Sequence, residues 1–179
     1  MRTLRKTSIA LLLLVFAASV SFGLTASDNH LVTITISEVT LMALSSTATI
    51  TLTIDNTGLS AGDTPLGDSD NSKTLEYTTI NTGALQRVVE AQLSAAAPSG
   101  TTLSLQASDP ADAGGEGVSP GSVTLSDASA GSILTNIGSS ATAGGGPTLT
   151  YTLAVSDATA LDTAASGNIT VTLTLTEDA

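Results

Sequence analysis

Asn168-Ile169-Thr170-Val171-Thr172-Leu173-Thr174-Leu175-Thr176 alternates four aliphatic residues with four threonines, so one face is wholly aliphatic and the other wholly hydroxyl. Side chains of a β-strand point to opposite faces in turn, and this period of two specifies a strand buried on one side. Branching at Cβ in Ile, Val and Thr suits the pleated backbone as well. The pattern recurs in Val32-Thr33-Ile34-Thr35-Ile36, in Thr49-Ile50-Thr51-Leu52-Thr53-Ile54 and in Thr148-Leu149-Thr150-Tyr151-Thr152-Leu153. Most of the remaining chain connects copies of it.

Working outward, strands are expected at residues 47–54, 73–80, 87–95, 101–107, 122–126, 133–137 and 148–155. Leu75 and Tyr77, then Val89, Ala91 and Leu93, then Leu103 and Leu105, are the expected inward residues. Near the start, Val32, Ile34 and Ile36 share one face, while Val39 and Leu41 take the other parity. That switch predicts a bulge or a crossing between sheets at Ser37-Glu38. Asp55-Asn56-Thr57-Gly58, Asn81-Thr82-Gly83 and Pro98-Ser99-Gly100 are turns, and residues 59–72 form a long acidic loop. Residues 157–165 are locally helical, capped by Ser156 or Asp157 and closed by Gly167. Roughly eight to ten short strands with one wet face each predict an all-β fold, an Ig-like antiparallel β-sandwich. The missing Cys…Trp…Cys core excludes an antibody-type domain.

The N-terminus reads differently. Met1-Arg2-Thr3-Leu4-Arg5-Lys6 precedes an apolar run from Ile9 to Phe22, followed by small residues. This describes a cleaved secretory signal peptide over residues 1–26, the run being shorter than the roughly 20 residues of a spanning helix. The expected organisation is therefore 1–26 signal peptide, 27–36 N-terminal strand and 37–179 β-sandwich domain. The mature chain would be secreted, extracellular or at the cell surface, with no membrane span.

Without the signal, Lys73 and Arg87 alone stand against 16 acids, a net charge of −14. Two cations cannot track a phosphate backbone, so no nucleic-acid partner is expected. Lys73, beside the acidic loop, reads as a surface charge. Tyr77 and Tyr151 are the only mature aromatics, too few for a stacking platform. His30 is the sole histidine, which excludes a histidine-based zinc site and leaves a Ser-His-Asp arrangement dependent on that one residue. No cysteine exists to staple the fold, so the core must be aliphatic and self-sufficient. A non-enzymatic chain without a resident cofactor is expected. Its best ligand candidate is Asp63, Asp68, Asp70 and Asn71, oxygen-bearing side chains that suit Ca²⁺ in an irregular loop; a solvated acidic tip is the plainer reading.

Only Glu38, Glu76 and Glu90 among the acids fall within the expected strands. The strongest strands are uncharged and free of proline, so their edges must be covered or used. Residues 30–36 form such a strand at the mature terminus. It either folds back as the first strand of its own sandwich or completes a neighbour's sheet by strand addition, with Val32, Ile34 and Ile36 filling the pockets. The second arrangement is self-association through an open β-edge, and head-to-tail repetition makes a filament.

This layout of signal peptide, terminal alternating strand and small acidic Thr/Ala/Gly-rich domain resembles secreted pilin-like filament subunits of Ig-like β-sandwich fold. Residues 133–138 leading to 149–153 also resemble uncharacterised exported bacterial β-proteins. The cysteine pair and aromatic C-terminal ending of chaperone–usher pilins are absent. The resemblance implies a structural filament or surface-layer subunit. The alternative is a monomeric secreted adhesion or ligand-binding module, calcium-dependent if the acidic loop binds.

Overall fold

The computed structural model describes residues 28–55, 57–111, 115–165 and 167–178; the expected signal segment lies outside them. The chain divides into Met1–Thr35 and Ile36–Ala179, and the second unit carries every strand among the described residues. In order these are β1 (Val39–Leu44), β2 (Asp68–Ile80), β3 (Arg87–Leu93), β4 (Thr101–Ala107), β5 (Glu116–Val118), β6 (Val123–Thr124), β7 (Gly131–Ile137), β8 (Ser140–Ala141), β9 (Thr148–Val155) and β10 (Val171–Glu177). One sheet runs β1-β2-β9-β4-β6, with β8 beside β2, and the other runs β10-β3-β7-β5. Every pairing is antiparallel. The fold is all-β with two antiparallel sheets, as the alternation predicts for a β-sandwich.

Each sheet contributes its aliphatic face to one core. Leu75 and Tyr77 of β2, Leu103 and Leu105 of β4, and Leu149 and Tyr151 of β9 come from the first sheet. Val89, Ala91 and Leu93 of β3 and Ile133, Leu134 and Ile137 of β7 come from the second. Burying a Leu, Ile or Val fully contributes about 1.5–3 kcal/mol, so this set replaces the missing aromatics and disulfides. The inward faces expected for β2, β3 and β4 are the buried ones.

Four differences from the expected pattern have physical causes. In β1 the inward residues are Met42 and Leu44, whereas Leu41 is 63% exposed. Met42 lies opposite Tyr77 and Leu44 opposite Leu75, and directly opposed residues share a face; the partner strand therefore overrules the parity read from Val39 and Leu41. β2 begins at Asp68, so the final third of the expected loop continues the strand across a register shift between Asp70 and Lys73. In β7 the neighbours Ile133 and Leu134 are both buried, as are Val88 and Val89 of β3. Register shifts in the β3–β7 pair permit this, because a bulge turns consecutive side chains to one side. Lastly, residues 28–38 and 46–55 form no strand. Alternation prepares a segment for a sheet, but a ladder needs a backbone partner.

The expected helical piece consists of two 3₁₀ turns, Ala158–Ala160 and Thr163–Ala165, with Asp157 accepting from the Thr159 N–H at 2.9 Å. Before β9, Gly146 runs so close to β2 that a Cβ would overlap the Leu75 carbonyl oxygen. Leu105→Ala and Ile133→Ala each remove a fully buried side chain and should cost about 2–5 kcal/mol in denaturant unfolding. Leu41→Ala, on the exposed face, should stay within about 0.5 kcal/mol.

Candidate functional site

The two sheets leave their free edges on the same side. β1 ends its row, β10 ends the other, and the two strands touch. β1 covers β2 only from Leu75 to Ile80. The ladder closes with Ser45 N–H to the Thr74 carbonyl at 2.9 Å and Thr74 N–H to Ser45 Oγ at 3.0 Å, and the chain then leaves the sheet. Residues 46–55 keep their alternation, with Ile50, Leu52 and Ile54 half-buried and Thr49, Thr51 and Thr53 exposed. Their backbone makes no ladder.

Behind this departing segment lies a cleft of about 1010 Å³. Its walls include Ile50 and Leu52 on one side, Tyr151 and Leu153 of β9 at the back, and Ile169 and Val171 entering β10. It occupies the stretch that a longer β1 would have filled. Burial raises the Tyr151 phenol above its ordinary pKa, and the nearby Asp70 charge adds to the rise. Lys73 also lines the cleft and is only 5% exposed. It is a buried amine, contrary to its reading as a surface charge. Among the described residues no hydrogen bond or ion pair holds it.

Among the described residues no strand pairs with the outer side of β10. Thr170 accepts from the Ser94 N–H, and the Asp178 N–H donates to Gln86. Backbone groups of successive residues point to opposite sides of a strand, so even-numbered residues bond to β3. Val171, Leu173 and Leu175 therefore direct their N–H and C=O groups outward. By contrast, the exposed stretch of β2 is closed by its own acids. Asp68 accepts from the N–H groups of Ser69 and Thr53 at 2.8 and 2.9 Å, and Asp70 accepts from Ser72 N–H and Oγ–H at 2.9 and 2.7 Å.

These bonds place the sequence-derived calcium candidates. Asp63 serves a local turn, accepting from the Ser60 N–H at 2.7 Å. Asp68 and Asp70 act as edge caps, and Asn71 is exposed beside them. Among the described residues no group of three or more acidic, histidine or cysteine side chains is placed to hold a metal ion. The other sequence-derived residues, Val32, Ile34 and Ile36, are 64%, 81% and 78% exposed.

The chain leaves this exposed segment at a fixed point. Arg87, buried at the start of β3, pairs with Glu38 and donates through Nε to Asn81 Oδ1 at 3.0 Å. Asn81 in turn donates to the Leu85 and Ile137 carbonyls at 3.0 Å. Sequence reading missed this anchor because Glu38 and Arg87 are 49 residues apart. The lone arginine of the acidic domain was its available signal.

Compared with known proteins, the chain matches no family model, no curated protein and no solved structure.

Hydrogen bonds hold several carboxylates below their ordinary pKa. Glu76 accepts from Thr142 Oγ–H at 2.7 Å and Gly144 N–H at 3.0 Å, which lowers it from 4.5. Ser72 does the same for Asp70, and Thr159 for Asp157, each lowered from 3.8. A lowered folded pKa stabilises above the unfolded value, and that stabilisation disappears as pH falls through the folded one. The denaturation midpoint should thus hold from pH 7 to 5 and decline below about pH 4. Thr142→Val should reduce the Glu76 share of that decline.

Proposed function

We propose that this chain is a non-enzymatic extracellular structural protein, a filament or surface-layer subunit of Ig-like sandwich type that assembles by β-strand addition. The observation that carries this reading is the exposed segment at residues 31–36. It holds Leu31, Val32, Ile34 and Ile36 in a β-prone, uncharged, proline-free run that pairs with no strand among the described residues. Such a run is an aggregation hazard unless a partner covers it. Its position ahead of Glu38, where the anchored fold begins, leaves it available to another molecule. The open β10 edge supplies the complementary half of a head-to-tail contact, and such a contact continues without closing. The resemblance of the layout to secreted filament subunits points the same way.

The cleft favours a second reading, a secreted monomer whose groove holds a ligand. The two differ in what residues 28–36 do. In a self-assembling subunit they connect molecules, and in a binding module they are dispensable for a monomeric state. Negative-stain electron microscopy and size-exclusion chromatography of the purified chain should show fibres of regular axial repeat. Deleting residues 28–36 should leave a folded, soluble monomer without fibres. A single monomer peak and an empty grid for the intact chain would reject assembly and favour the binding module.

A further inference from the structure

Resting on the assembly reading above, we infer that the acceptor for the donor strand is the outer edge of β10, with the adjoining cleft receiving the donor's apolar side chains. The occupant is residues 31–36 of a second copy.

Three features favour this edge over the exposed part of β2. First, chemistry: Val171, Leu173 and Leu175 present unpaired backbone groups in a stretch without charge or proline, whereas the exposed part of β2 is capped by Asp68 and Asp70. A strand can add only where donors and acceptors remain free. Second, shape: at the Val171 end the edge opens directly into the cleft lined by Ile50, Leu52, Tyr151, Leu153 and Ile169. A strand laid along β10 turns every second side chain to the inner face, and those at the Val171 end meet that space. The period matches Val32, Ile34 and Ile36.

Third, charge. The chain carries a net charge of −11, so two copies repel wherever their acidic loops meet. Residues 31–36 are neutral and can approach closely without that penalty. The cleft already holds its own charges, since nearly buried Lys73 lines it together with Asp55 and Asp162 and acts on the charge of Asp70, so a neutral strand suits it.

The absence of cysteine from the whole chain permits a direct test. Two differently tagged forms of the chain are mixed under mild oxidation, one carrying Ile34→Cys and the other Val171→Cys or Ile169→Cys. Because each molecule holds a single thiol, any heterodimer reports a contact between molecules. Disulfides form only where Cβ atoms come within about 4.5 Å, so heterodimer should exceed by about tenfold that formed with Val118→Cys on the remote strand β5. A synthetic peptide of residues 28–37 should suppress the cross-link, and a scrambled peptide should not. Two acceptor positions guard against one variant failing to fold, which circular dichroism checks. Fibres without a cross-link to either Val171→Cys or Ile169→Cys would overturn the assigned acceptor while leaving assembly standing. Monomers without any cross-link would overturn both.

Discussion

Every strong strand in this chain has one apolar face, and none has two. That constraint determines the architecture, because a one-faced sheet is stable only when another sheet covers it. No cysteine is present to staple the second layer to the first. Two tyrosines enter the core, and they behave differently. Tyr77 satisfies its hydroxyl on the Glu116 carbonyl, while Tyr151 stands at the cleft. Packing of leucine, isoleucine and valine across the β2-β9-β4 and β3-β7 faces therefore holds the sandwich. Bulges in β3 and β7 let paired aliphatic neighbours enter the same layer.

The same one-facedness makes edges a difficulty, and the protein treats the uncovered part of β2 and the edge of β10 in opposite ways. Along β2, short aspartate side chains turn back onto neighbouring N–H groups and close the row from within. Charge is thereby used as an edge cap, which explains why an acidic stretch continues a strand. Along β10 the alternating threonines offer no such cap. Their hydroxyls point to solvent across the sheet face, perpendicular to the edge, and leave its backbone groups untouched.

Much of this was legible in sequence, and the failures share one cause. The inward faces of β2, β3, β4 and β9 follow from period-two alternation, and of the two capping candidates, Ser156 and Asp157, the structure uses Asp157. Alternation reports which face a segment would bury, not which segment will lie beside it. Residues 47–54 show the consequence: the side chains obey the pattern, yet the backbone has no partner. β1 shows its converse, since pairing with Leu75 and Tyr77 fixed which parity turned inward. Lys73 was misread for a related reason. Charge next to an acidic loop suggests solvent, but a strand continuing through that loop carries the lysine inside. The Glu38–Arg87 pair was beyond reach because nothing local links residues so distant.

That pair also has a mechanical meaning. Glu38 is the last residue before β1, so tension applied through the N-terminal segment arrives there before it reaches any strand. Arg87 belongs to β3, in the opposite sheet. The force is consequently divided between both layers at its point of entry, instead of peeling β1 from the edge of β2 one residue at a time. The sandwich is gripped across its thickness at the place where the N-terminal segment enters it.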